Sequence, residues 1–158
     1  MIGITVRCKD HAGKTHAVPV DKLRFRISAY GIFVQEKAVL MVQDAWMRKW
    51  EFPGGGIHVH EAVKDGLVRE YREETGLTIA PLRLFLFQED FFWATDRQEG
   101  WHSLRLLHFV RKIKGNLRAS GNGDDVIRAQ FQDISGITRQ MVKPDIWTVI
   151  QRLNHEIF

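Results

Sequence analysis

The chain has 158 residues, 44% of them hydrophobic and 27% charged, with one cysteine and a net charge of +4. That is enough for one domain with a core of its own and too little for two ordinary ones. Cys8 cannot form an internal disulfide, so a reducing compartment is the default. No run approaches the ~18 apolar residues of a membrane span. Met1–Arg7 lacks a charged start followed by an apolar stretch, so no secretory signal is read and a cytoplasmic location is expected. The mild basicity suits a small polyanionic substrate, and nucleic acid is not an expected partner.

In chain order, residues 2–8 alternate as a short strand, Asp10-His11-Ala12-Gly13-Lys14 turns, and Thr15–Val20 returns as a second strand. This N-terminal hairpin, within residues 1–22, either caps a sheet or contributes to a homodimer. Cys8 reads as a small packed side chain. Arg26–Gln35 is a strong strand, Glu36-Lys37 its turn and Ala38–Gln43 its partner. The loop 44–49 leads through Trp50-Glu51-Phe52 into Pro53 and the glycine loop 54–56. A helix follows and stops at Gly76, which takes the left-handed conformation of a C′ residue without a Cβ clash. Val63, Leu67, Val68 and Tyr71 give that helix its apolar spacing.

After the helix, Leu77–Leu86 is strand-like, Phe87–Trp93 is aromatic and acidic, and 94–100 is a loop with Asp96, Arg97 and Glu99. Trp101–Ile113 is a long strand, Asn122-Gly123-Asp124-Asp125 a turn, and Val126–Ile134 the last strand. Asp145–Ile157 is a helix with Pro144 near its first turn and Ile146, Ile150, Leu153 and Ile157 on one face. No repeat, linker or low-complexity segment interrupts the single domain 1–158. The order of elements suggests an α/β fold.

The carboxylates of the central helix are out of place by ordinary rules. Glu70, Glu73 and Glu74 share one face in the last two turns, beside the negative end of the helix dipole. Each acid there costs roughly 0.3–1 kcal/mol, and mutual repulsion adds to it. Arg69 and Arg72 offset part of this; a divalent cation would offset much more. Clustered carboxylate oxygens suit Mg²⁺, which keeps waters and takes substrate phosphates as further ligands. A glycine loop before the helix admits a phosphate or metal close to the backbone. The bland alternative is a solvated acidic face.

The spacing weighs against the bland alternative. Gly55, then Glu61, Arg69-Glu70, Glu73-Glu74 and Gly76-Leu77 fix eight positions over 23 residues, and that spacing resembles the Nudix box, the signature of the Nudix hydrolase family. Tyr71 stands where an aliphatic residue is usual, His58 where many members carry Glu, and His60 where many carry Gly. The resemblance implies an α/β/α sandwich with a mixed β-sheet, to which this chain adds the N-terminal hairpin. It also implies Mg²⁺-dependent hydrolysis of a diphosphate linkage in a small nucleoside diphosphate derivative, with Mn²⁺ as the alternative ion. By the same resemblance Glu70, Glu73, Glu74 and the Gly54 carbonyl are metal ligands, and Gly55 and Glu61 shape the loop.

Arg69 is expected to hold Glu73 or Glu70. Glu70 is the first candidate for the general base, Glu99 the second and Asp96 the third; for the last two a solvated loop role competes. The His58-x-His60 pair invites a zinc reading, but two histidines without a cysteine are better read as lining the phosphate path. His102 on its strand is a candidate substrate contact. Trp46, Trp50, Phe91, Phe92, Trp93 and Trp101 are candidates to stack a base, most of them being core. Arg111, Lys112 and Lys114 read as a solvated face. A nucleoside triphosphate, oxidised or not, leads the substrate classes. ADP-ribose, a nucleotide sugar and a dinucleoside polyphosphate stay open, as do a non-catalytic nucleotide sensor and a diphosphate isomerase, the last disfavoured by the position of Cys8.

Overall fold

The computed structural model describes residues 3–157. The hairpin forms as β1 (Thr5–Lys9) and β2 (Thr15–Pro19); the expected start of β1 at Ile2 lies outside the described residues. The run read as one strand from Arg26 to Gln35 is two. β3 (Arg24–Ile32) ends before Phe33, and β4 (Val34–Gln35) belongs to a different sheet. A continuous apolar run cannot signal such a crossing by periodicity. Here the Phe33 carbonyl accepts from Leu40 N–H (3.0 Å) and its ring meets Phe131 edge-on at 5.5 Å.

β5 (Ala38–Asp44) pairs with β4 and with β6 (Trp50–Glu51). The expected glycine loop is a short strand, β7 (Gly54–Gly56), antiparallel to β3 with Ala29 opposite Gly55. Gly54 has φ of 143°, and a Cβ there would stand 2.1 Å from the Ala29 carbonyl oxygen, so only glycine lets the two backbones pair this closely.

Helix α1 spans Val63–Thr75 and ends at Gly76 with φ of 78°. The stretches read apart at 77–86 and 87–93 are one long strand, β8 (Thr78–Ala94), carried through register shifts near Pro81 and Leu84. β9 (Glu99–Lys114), β10 (Val126–Asp133) and α2 (Pro144–Ile157) complete the chain. The larger sheet runs β2-β1-β8-β9-β3-β7, with β3 and β9 parallel and β8 and β9 antiparallel; the smaller runs β10-β5-β4.

Two cores explain the layering. Leu67 and Tyr71 of α1 pack with Ala29, Leu40, Ile79 and Val110. Ile146, Val149, Ile150 and Leu153 of α2 pack with Ile32, Met41, Phe52 and Leu107. The mixed sheet thus lies between two helices, as an α/β/α sandwich. Tyr71 fits its position because Gly31 lies beneath it: a Cβ at Gly31 would come within 2.6 Å of the ring. Cys8 is fully buried, and burial pushes its thiol up, so it packs rather than reacts. No helix among the described residues is long and apolar enough to cross a membrane.

Candidate active site at the end of α1

Arg69 organises the site. Its Nε and Nη2 donate to the two oxygens of Glu61 (3.1 and 2.6 Å), Nη1 donates to Glu70 Oε1 (2.7 Å), and Nη2 also reaches the Gly56 carbonyl (3.1 Å). A planar fork makes this arrangement possible, because two oxygens can be met side by side while the remaining N–H groups reach elsewhere. Glu61 accepts from His58 N–H as well (2.8 Å), and the Arg69 fork holds its carboxyl down at about 2. One guanidinium therefore ties β7, the 57–61 turn and α1 together.

Glu70 lies against Gly55: a Cβ there would stand 2.7 Å from Glu70 Oε2, so glycine is what admits the carboxylate to the strand. Glu73 is exposed, with Arg69 Nη1 3.8 Å away. Glu74 is 6% exposed and accepts from Gly54 N–H (2.9 Å). Burial pushes its carboxyl well above the usual range; the Gly54 N–H works against this, while Glu51, Asp125 and Glu70 add to the repulsion. The misplaced acids are partly compensated by Arg118, whose guanidinium donates to the Glu73 carbonyl at the helix end.

Glu73 and Glu74 face different hollows. Glu73, with Arg69, Arg72 and Arg118, lines an open groove of about 810 Å³. Glu74 lines a cavity of about 570 Å³ with Asp44, Glu51, Asp125 and Lys143. Lys143 Nζ bridges Asp44 Oδ2 (2.9 Å) and Glu51 Oε1 (3.0 Å). Burial pushes the Glu51 carboxyl up against the pull of Lys143. The start of α2, which follows Lys143, is fixed by Gln88 Nε2 on the Asp145 carbonyl (2.9 Å) and by an Arg105–Asp145 ion pair.

The donor chemistry fits a hard divalent cation. A buried carboxylate faces three other acids and has one backbone N–H for company, which is the situation a cation relieves. Glu74, with Glu70 one turn away, could hold it, and Glu73, on the side of the other hollow, could hold a second. Among the described residues no three His, Cys, Asp or Glu side chains already converge on one metal position, and Arg69 engages Glu70 while standing near Glu73. The His58–His60 pair stacks at 5.4 Å.

Four other expected site residues have partners elsewhere. His58 acts through its backbone, Trp93 stacks on His16 (4.7 Å), Glu99 pairs with Arg24 (2.8 Å), and His102 pairs with Glu89 (2.6 Å). None of the four is among the residues lining the groove or the cavity, whereas Asp96 and Trp46 line the cavity. The residues missed from the sequence are Asp44, Glu51, Asp125 and Lys143. Asp125 sits in a turn whose Asn-Gly-Asp-Asp sequence explains itself as turn chemistry. Glu51 and Lys143 are 92 positions apart, with no periodicity to link them.

The NUDIX domain family matches residues 22–153, and the chain belongs to that family. It is 31% identical over 97 residues to an 8-oxo-dGDP phosphatase, NUDT18, of Danio rerio, which is 60% of this chain and 27% of that protein. It is 27% identical over 116 residues to an ADP-ribose pyrophosphatase of Methanocaldococcus jannaschii, 72% of this chain and 64% of that one. The chain spans well under a third of the first relative's length and just under two thirds of the second's. A MutT protein of Methanosarcina mazei Go1 has the same fold, with a TM-score of 0.66 and 20% identity over 85% of this chain and 96% of that one.

Proposed function

We propose that this chain hydrolyses a phosphoric anhydride bond in a small nucleoside diphosphate derivative. The observation that carries the reading is the buried Glu74, repelled by three acids, one turn from the Glu70 that Arg69 holds against Gly55. Glu70, Glu73, Glu74 and the Gly54 carbonyl are the proposed ligands of two or more divalent cations, with Mg²⁺ the first choice and Mn²⁺ the second. When bound, such an ion neutralises charge on the phosphate oxygens and lowers the pKa of a bound water.

The chain's own residues do the rest. Glu70, partly open to solvent, takes the proton of the attacking water. Arg69 and Glu61 keep Glu70 and β7 in register, so that the water meets phosphorus in line. In the groove, Arg72 and Arg118, set among Asp65, Glu73 and Asp124, are the side chains proposed to meet the departing phosphates. A nucleoside triphosphate or its oxidised form is the leading substrate, a choice supported by a relative named nucleoside triphosphatase NudI, while the relative named 8-oxo-dGDP phosphatase supports an oxidised base but on a diphosphate. ADP-ribose is the second reading, supported by the relative that aligns with 72% of this chain.

Product analysis over a panel of triphosphates, oxidised diphosphates and triphosphates, ADP-ribose, nucleotide sugars and dinucleoside polyphosphates tests the reading. Monophosphate plus pyrophosphate from a triphosphate is expected. Turnover of ADP-ribose alone would move the substrate, and no turnover of any member would remove the hydrolase.

A further inference from the structure

Four turns meet over the cavity that holds Glu74, and one of them lies outside the span of the family match. Residues 44–48, 95–98 and 122–125 contribute Trp46, Asp96 and Asp125; the tip of the β1–β2 hairpin contributes His11. Loops on a rigid scaffold are where binding groups are usually found, and two of these turns are unusually well fixed. Asp10 Oδ1 accepts from Ala12 and Lys14 N–H (3.0 and 2.9 Å), its Oδ2 meets His16 Nε2 (2.8 Å), and the His11 ring packs on Phe92 at 4.7 Å. Asp44 Oδ1 accepts from Trp46 and Met47 N–H (2.7 and 2.8 Å), Oδ2 holds Lys143, and Ala45 N–H donates to the Asp125 carbonyl (2.8 Å).

Trp46 is the anomaly on this rim. The residue is 88% exposed although it lines the cavity. Nothing in the turn's hydrogen bonding requires an aromatic side chain, because its bonds are made by Asp44, by Gln43 Nε2 on the Arg48 carbonyl (2.9 Å) and by backbone. A tryptophan left in water on a turn held by these hydrogen bonds is free to stack on an incoming ring.

The other lining residues say what would stack there. Asp44, Glu51, Glu74, Asp96 and Asp125 face one ammonium, Lys143; with a cation held at Glu74 at the cavity's α1 end, the remaining wall of Glu51, Asp96 and Asp125 offers acceptors to an uncharged ring bearing N–H donors and no cation to a phosphate. The volume of about 570 Å³ lies within the range of small-molecule sites.

We propose that this cavity receives the planar base of the substrate, with Trp46 and His11 as its aromatic walls, and that the N-terminal hairpin is thereby part of the substrate site. The proposal rests on the nucleotide-hydrolase reading and deepens it: the diphosphate lies at the α1 carboxylates, and the base enters between the 44–48 turn and the hairpin tip.

The test is steady-state kinetics of the full chain carrying Trp46→Ala, His11→Ala or Trp46→Phe. The substrates are the best nucleotide of the panel and a pyrophosphate-linked sugar phosphate without a base. Each alanine variant is expected to raise KM for the nucleotide about tenfold or more, the scale of one lost base stack, with kcat changing far less. Trp46→Phe should recover most of the loss, and the penalty should be confined to the substrate that carries a base.

Unchanged KM in both alanine variants, with turnover still abolished by Glu74→Gln, would overturn the aromatic walls and leave the hydrolase standing. If the wild type turns over no nucleotide, the hydrolase reading falls and a tryptophan-fluorescence titration with AMP and GMP decides the remainder. Quenching that disappears in Trp46→Phe supports the site, and absence of quenching in the wild type overturns it.

Discussion

Glu74→Gln separates the charge of the buried carboxylate from its shape. The amide keeps an oxygen for the Gly54 N–H, which donates to Glu74 at 2.9 Å, and removes only the ionisation that burial and three neighbouring acids oppose. Two opposite effects on stability are expected. Without metal, the variant should melt at or above the wild type at neutral pH.

With Mg²⁺ at about 100 times its dissociation constant, the wild type gains about 2.7 kcal/mol of linkage stabilisation. At about 2–4 °C per kcal/mol for a chain of this length, that is a rise of roughly 5–11 °C. The variant lacks one anionic ligand and should rise by less than about 2 °C, a value set by the same conversion. Differential scanning fluorimetry with and without Mg²⁺ reads both numbers. A variant that is less stable without metal and responds to Mg²⁺ as the wild type does would mean that Glu74 is a structural cap for Gly54 and no cation ligand.

The pH dependence of the same protein follows from the direction of the shift. A carboxyl raised in the folded state binds protons more tightly there than in the unfolded chain. Metal-free stability should therefore fall as pH rises from the ordinary glutamate value through the folded one; Glu74→Gln should flatten that slope in melts across pH 5 to 8, and an unchanged slope would place its origin elsewhere. Arg69→Lys leaves a point charge where a fork meets Glu61 and Glu70. By analogy with residues that support metal ligands, it should weaken half-saturation by Mg²⁺ about 10–100-fold, and a metal response like the wild type's would remove Arg69 from that role. Tyr71→Phe deletes a buried hydroxyl that has no partner among the described residues. It should raise Tm by a few degrees, since an unpaired buried group costs about 1–3 kcal/mol; a lower Tm would show that the hydroxyl is bonded. Gly54→Ala would set a Cβ 2.1 Å from the Ala29 carbonyl, so loss of soluble protein or a large drop in Tm is expected, and a wild-type melt would contradict the β3–β7 pairing.

The central helix was legible because its signals are local: Gly76 as the stop, the apolar spacing of Leu67 and Tyr71, and acids where a helix end disfavours them. The face of α2 was legible for the same reason. What the sequence concealed depends on contacts between distant segments. The split of one apolar run into β3 and β4 follows from a change of sheet at Phe33, which a two-residue period cannot mark. Glycines 54–56 read as loop because glycine is the usual loop residue, yet they form a strand because β3 and Glu70 come too near for a Cβ. At the site, Arg69 and Glu74 lie on one helix and Glu61 in the turn before it, so all three fall within one short motif. Asp44, Glu51, Asp125 and Lys143 were not legible, because they end β5, end β6, close a turn and precede α2, four places that only the tertiary fold brings together. His11 was read only as part of a turn, and its place on the cavity wall is a product of the β1–β8 pairing at the sheet edge.

The most direct test of the account is hydrolysis of the best nucleotide with Mg²⁺ by the wild type and Glu74→Gln, alongside nucleotide binding to both. The account predicts metal-dependent turnover in the wild type and near-complete loss of it in the variant, with nucleotide still bound. Binding without turnover in the wild type, or full turnover in Glu74→Gln, would contradict it.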